Sequence, residues 1–120
     1  MLHRNFLVRE MTETALRLAQ QYSVLGLMGP RQSGKTTLAR MLFPEKTYVS
    51  LEDPDIRRFA LEDPRGFLSQ YAEGAILDEV QRVPELMSYL QRRVDENPRK
   101  GLFILTGSHQ LMLHQAISQS

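Results

Sequence analysis

The sequence contains no cysteine. That excludes a disulfide scaffold and any zinc or iron–sulfur site built on thiolates, and it fits a reducing compartment. Long apolar runs are also missing. The most apolar stretch, Val24 to Met28, is far shorter than the roughly 20 residues that cross a bilayer, so no membrane partner is expected. The N-terminal MLHRNFLVREM lacks the apolar core of a secretory leader, and a cytoplasmic location is the expectation. Charge of one sign is scarce: 15 Lys and Arg against 14 Asp and Glu leave a formal net charge of +1. A strongly electrostatic partner such as bulk DNA is therefore disfavoured, although a local basic patch stays open. Most basic residues are arginine; Lys35, Lys46 and Lys100 are the only lysines. There is no internal repeat, no low-complexity tract and no linker-like segment, so residues 1–120 are expected to form a single domain.

What is present is an ordinary globular composition, 42% hydrophobic and 24% charged, in a chain long enough for one modest core. Met11, Ala15, Leu18, Ala19 and Tyr22 recur at helical spacing and predict a helix over about 9–22. Apolar runs too short for helices predict strands at Ser23–Gly29, Gly74–Asp78 and Gly101–Gly107, and the β-branched and aromatic residues of Thr47–Leu51 predict another. Helices are predicted between them: Lys35–Phe43, Asp55–Leu61, one restarting at Asp63-Pro64 and reaching Tyr71, and one after Pro84 with Leu86, Leu90 and Val94 on one face. A last helix is expected over about His109–Ile117, capped by Ser108. Strands alternating with helices predict an α/β fold, a parallel sheet covered on both faces.

Gly29-Pro-Arg-Gln-Ser-Gly34-Lys35-Thr36 matches G-x-x-x-x-G-K-[ST]. A loop that wraps a polyphosphate must let backbone N–H groups point inward, and Gly29 and Gly34 permit that approach. The helix opening at Gly34 offers unpaired N–H groups to the anion. Lys35 reaches the β- and γ-phosphates, and the Thr36 hydroxyl is placed to ligate Mg²⁺. The expected nucleotide-binding residues are Gly29, Pro30, Arg31, Gln32, Ser33, Gly34, Lys35, Thr36 and Thr37; Arg31 faces either phosphate or solvent. The motif follows a predicted strand and opens a predicted helix, as its chemistry requires. The dinucleotide fingerprint G-x-G-x-x-G is absent, which disfavours a nicotinamide cofactor.

Ala75-Ile-Leu-Asp78-Glu79 is an apolar run ending in two acids. The C-terminal ends of parallel strands open onto the ligand crevice. Asp78 is there expected to hold Mg²⁺ beside Thr36, directly or through water, and Glu79 to orient and deprotonate an attacking water. Leu102-Phe-Ile-Leu-Thr106-Gly-Ser108 puts hydroxyls at another strand end. Thr106 either reports the γ-phosphate between the acids and the loop or satisfies only its own backbone. The pair Arg92-Arg93 reads as a solvated helix face before a nucleic-acid patch. His3, His109 and His114 lack metal-site spacing, and the aromatics are scattered as core residues are.

Taken together, Gly29-Pro-Arg-Gln-Ser-Gly-Lys-Thr-Thr-Leu38, Leu51-Glu-Asp53, Leu77-Asp-Glu-Val-Gln-Arg-Val-Pro84 and Leu105-Thr-Gly-Ser108 resemble the prokaryotic AAA-type ATPases that carry a C-terminal domain of unknown function. The resemblance runs over almost the whole chain. It implies a three-layer P-loop NTPase fold of the additional-strand type, with a mostly parallel sheet in which the acidic strand is not adjacent to the phosphate-loop strand. It carries over Lys35 and Thr36 as Walker A residues, Asp78 and Glu79 as Walker B residues, and Thr106 as the sensor.

Members of that family continue past the equivalent of Ser120 with another core strand, an arginine that acts on a neighbour's nucleotide, and the C-terminal domain. The expectation is thus of a truncated core: four parallel strands, with the phosphate-loop strand left at the sheet edge. The expected function is an ATP–Mg²⁺ binding domain of an ATPase, with Glu79, Lys35 and Thr106 as catalytic residues, Thr36 and Asp78 as metal residues, and slow turnover by this chain alone. Self-association or a protein partner is expected through the missing C-terminal region. The absence of a guanine-reading N-K-x-D string leans toward ATP. A small-molecule kinase and a nucleotide-gated interaction module or inactive remnant are the alternatives.

Overall fold

The computed structural model describes residues 2–30 and 33–108, with side chains from residue 9 onward. The chain runs α1 (Leu2–Ala19), β1 (Val24–Met28), α2 (Lys35–Leu42), β2 (Thr47–Ser50), α3 (Pro54–Glu62), α4 (Pro64–Ser69), β3 (Ala75–Asp78), a single 3-10 turn (Val80–Arg82), α5 (Leu86–Glu96) and β4 (Phe103–Gly107). The strands form one sheet in the order β1-β4-β3-β2. Every pairing is parallel, with Leu25 beside Ile104, Ile76 beside Ile104, and Ser50 beside Asp78. The acidic strand β3 is thus separated from β1 by β4, and β1 is an edge strand, both as the family resemblance implies. Where a mostly parallel sheet was expected, the described strands are all parallel.

Strand parity sorts the core into two layers, because successive side chains point to opposite faces. Leu25, Ile76 and Ile104 meet Ala15 of α1 and Ala39 of α2 on one face. Val24, Val49, Ala75, Leu77, Phe103 and Leu105 face the other way, onto a larger cluster with Phe67 and Leu68 of α4 and Leu86, Leu90 and Val94 of α5. The result is three layers. Two loop acids start the middle helices. Asp53 accepts from Asp55 N (2.9 Å) and Asp63 from Gly66 N (3.0 Å), each followed by a proline whose fixed φ suits the first helical position. At Gly74, φ is +84°, and a Cβ would overlap the Leu102 carbonyl oxygen where β3 meets β4.

Several boundaries differ by a few residues from the expectation; α4, for one, ends at Ser69 and not at Tyr71. The first helix begins at Leu2 and ends at Ala19, not at Tyr22. The reason is competition: Tyr22 O accepts from Gly101 N (2.8 Å) and Ser23 O from Phe103 N (3.0 Å), so the chain there is already committed to β4. The sequence does not predict the 3-10 turn; Val80 within it and Val83 just after it are completely buried. The helix expected over 109–117 lies outside the described residues. No described helix is long and apolar enough to cross a membrane.

Candidate functional site

Parity also builds the site. Asp78 continues the face of Ile76, and Thr106 continues the face of Ile104, so both point toward α2 at the C-terminal end of the sheet. Gly34, with φ +88°, turns the chain from the loop into α2, a left-handed conformation that glycine adopts without steric cost. The helix start then delivers Thr36 to the acid. Thr36 Oγ1 donates to Asp78 Oδ1 at 2.8 Å. Thr106 Oγ1 donates to the same oxygen and accepts from Glu79 N at 3.2 Å. Tyr48 OH donates to Asp78 Oδ2 at 2.6 Å. Three hydroxyls from three elements therefore converge on one carboxylate that is 6% exposed. Such charge-assisted bonds are stronger than neutral ones and hold both oxygens in place.

Glu79 is the one described non-glycine residue with positive φ (57°, ψ 49°). That left-handed geometry costs a residue with a Cβ about 1–2 kcal/mol, and strain of this kind concentrates at functional sites. Its carboxylate is buried. Oε1 accepts from Gln81 Nε2 at 3.3 Å, while Oε2 has no partner within the protein. Gln81 Nε2 also donates to Ser108 Oγ at 3.2 Å, tying the acid to the end of β4. A buried carboxylate oxygen without a donor is costly, and its environment is one that a water or ligand group would complete.

The loop lies against this cluster. Lys35 is 7% exposed, and its ammonium folds back to donate to Pro30 O at 3.2 Å. Ser33 N donates to Pro30 O (3.2 Å) and Gly29 N to Gly107 O (3.3 Å), which closes the loop and pins its start to β4. A side chain at Gly29 would crowd Ser33 Oγ, at 2.8 Å. Thr37 is not brought to the acids; with Gly29, Pro30, Ser33, Gly34 and Lys35 it lines an outward cleft of about 510 Å³ whose apolar wall includes Met11 and Met41. Arg31 and Gln32 lie outside the described residues. Ser108 Oγ accepts from Gln81; the helix it is expected to cap lies outside the described residues.

Two contributors escaped the sequence reading. Tyr48 reaches Asp78 only because β2 pairs with β3 in the register Tyr48–Ile76 and Ser50–Asp78; position 48 alone reads as an ordinary strand aromatic. Burial and the hydrogen bond to Asp78 push its hydroxyl up from 10.0 to about 12, and the Arg40 guanidinium stacks over its ring at 4.5 Å. Gln81 had a weak signal, lying two residues beyond Glu79. Among the described residues, no three His, Cys, Asp or Glu side chains gather to hold a metal. The oxygen donors Thr36 and Asp78 are of the hard type magnesium prefers, and magnesium keeps much of its shell as water and substrate phosphate.

Comparison with known proteins agrees with this geometry. A family model described as an AAA domain matches residues 21–120. Over 95 residues the chain is 37% identical to an uncharacterized protein of Mycobacterium tuberculosis (strain H37Rv) and, equally, to one of Mycobacterium bovis, in each case covering 77% of this chain. It spans about a fifth (21%) of the length of those relatives. An all-parallel sheet that separates β3 from β1, a glycine loop opening α2, and a family match over most of the chain lead to one assignment: the protein belongs to the AAA-domain family and carries an AAA-type, ATPase-like domain.

Proposed function

We propose that this domain binds ATP with Mg²⁺ in the crevice between the 29–36 loop and the ends of β3 and β4, and serves hydrolysis to ADP and phosphate in the full-length protein. The observation that carries the reading is the convergence of Thr36, Thr106 and Tyr48 on Asp78, directly under a loop built to wrap phosphate. In this reading the N–H groups of the loop and of the α2 start bind the phosphates. Lys35 exchanges the Pro30 carbonyl for phosphate oxygens. Thr36 keeps its proton on Asp78, which leaves its lone pairs for a cation, and Asp78 holds that cation's water shell. Bound magnesium would supply charge neutralisation on the phosphates. Glu79, with one buried oxygen free of donors, orients a water and takes its proton. Thr106 links Asp78 to the Glu79 backbone and so couples the two acids. The outward cleft beside Thr37 is the natural place for the base and ribose. The full-length relatives' C-terminal region remains the proposed place for self-association or a protein partner.

Calorimetric titration with ATP–Mg²⁺ tests binding. Wild-type protein gives saturable heat, and Lys35→Ala weakens the affinity by roughly two orders of magnitude, the loss of two charge-assisted contacts. No heat with wild type, or unchanged affinity in Lys35→Ala, overturns the proposal. In the full-length protein Glu79→Gln should retain nucleotide and lose phosphate release. A kinase would lose little by that change.

A further inference from the structure

A second concave site lies on the opposite side of the sheet, on the outer surface of the α4–α5 layer and away from α2. Its cavity, about 270 Å³, is lined by Arg65 and Leu68 of α4 and by Tyr89, Arg92, Arg93 and Glu96 of α5. A shallower extension shares Arg65, Tyr89 and Arg92. Arg92 and Arg93 follow Tyr89 by three and four positions, so one stretch of α5 brings all three to the same wall. The sequence shows only the Arg92-Arg93 pair; the packing of α4 on α5 adds Arg65. Three guanidinium groups thus face one carboxylate. Among the described residues none of the three is in an ion pair: the described pairs are Arg82–Glu52 and Arg99–Glu73. The Nε of Arg93 is buried and has no hydrogen-bond partner. Three like charges gathered in a concavity against a single counter-charge raise the local potential and favour an anion. The guanidinium fork matches a carboxylate or phosphate in two-point contact.

We infer that this pocket docks an acidic segment of a protein partner, with carboxylates on Arg65, Arg92 and Arg93 and a neighbouring apolar side chain on Tyr89. Protein is favoured over nucleic acid by three observations. The site is a compact pocket rather than a basic stripe, and the whole chain carries a net charge of only +1. Tyr89 is the pocket's single aromatic, too few for a stacking platform.

The test is fluorescence anisotropy at low salt with a labelled synthetic peptide of alternating glutamate and leucine. Its glutamine counterpart and a short oligothymidine serve as competitors. The glutamate peptide is expected to bind saturably and to displace better than either competitor. The double variant Arg65→Ala/Arg92→Ala, at two exposed positions, should weaken it about tenfold or more while circular dichroism stays native. If that double variant fails to fold, Arg92→Gln alone carries the comparison, with a smaller loss in the same direction. Lys35→Ala should leave peptide binding unchanged, which separates this site from the nucleotide site. Absence of saturable peptide binding, undiminished binding by the arginine variants, or tighter binding of the oligothymidine would each overturn the inference.

Discussion

The face of the sheet under α3, α4 and α5 and the face under α2 are built from alternate residues of the same four strands, yet they do different work. The first is apolar throughout: Phe67, Leu77, Leu86, Phe103 and Leu105 are almost completely buried there. The second has a small apolar floor of Ala15, Leu25, Ala39, Ile76 and Ile104, and at the strand ends it turns polar with Tyr48, Asp78 and Thr106. Buried polar groups are tolerable only when partnered, and here each hydroxyl finds Asp78. The thick face therefore supplies most of the stability and allows the thin face to hold a carboxylate cluster and a strained residue. The contrast teaches where substitutions should hurt folding and where they should hurt chemistry.

The largest effect is expected on the thick side. Phe67→Ala removes a side chain 1% exposed that packs edge-to-face on Phe59 and Tyr71, and should cost about 3–5 kcal/mol in urea unfolding. A loss below 1 kcal/mol would mean that the apolar layer is not the main source of stability. Next, Thr106→Val keeps the shape but leaves Glu79 N–H without its acceptor and takes one donor from Asp78. It should cost about 1–3 kcal/mol, with a larger proportional effect on nucleotide affinity than Phe67→Ala has at equal folded fraction.

Glu79→Gly should act in the opposite direction. It relieves the left-handed strain and removes a buried, half-partnered carboxylate, so stability rises by about 1 kcal/mol, and under the proposed function phosphate release is lost. A destabilised Glu79→Gly would show that the strain reading is wrong. The smallest effect is on pH dependence. Tyr48 is held protonated up to about 12 in the folded protein, against 10.0 for a free tyrosine. Between those values the folded state keeps a proton that the unfolded chain has lost, so this contribution is complete below pH 10 and falls as pH rises toward 12. Melting temperatures across that window should decline less steeply in Tyr48→Phe; equal slopes would detach Tyr48 from Asp78.

Much of this was readable along the chain. Short apolar runs marked β1, β3 and β4, and β-branched and aromatic residues marked the less buried β2; Asp53-Pro54 and Asp63-Pro64 marked helix starts because capping is local. The glycine spacing of the 29–36 loop and the acids at 78 and 79 were legible for the same reason: their chemistry is written in contiguous residues. Strand order was legible only through family resemblance, since nothing in a strand's periodicity says which neighbour it pairs with. Tyr48 was not legible, because its role depends on the β2–β3 register. Neither was the end of α1 at Ala19, which yields to pairing with β4 across some eighty intervening residues.

The sequence by itself determined the helices and strands, the glycines of the 29–36 loop and the acids that end β3, because each is written in residues close together in the chain. Only the tertiary structure decided that β4 lies between β1 and β3, that Thr36, Tyr48 and Thr106 all reach Asp78, and that Arg65 joins Arg92 and Arg93. Those facts depend on which distant segments pack together, and packing is settled by the burial of whole faces rather than by any local preference.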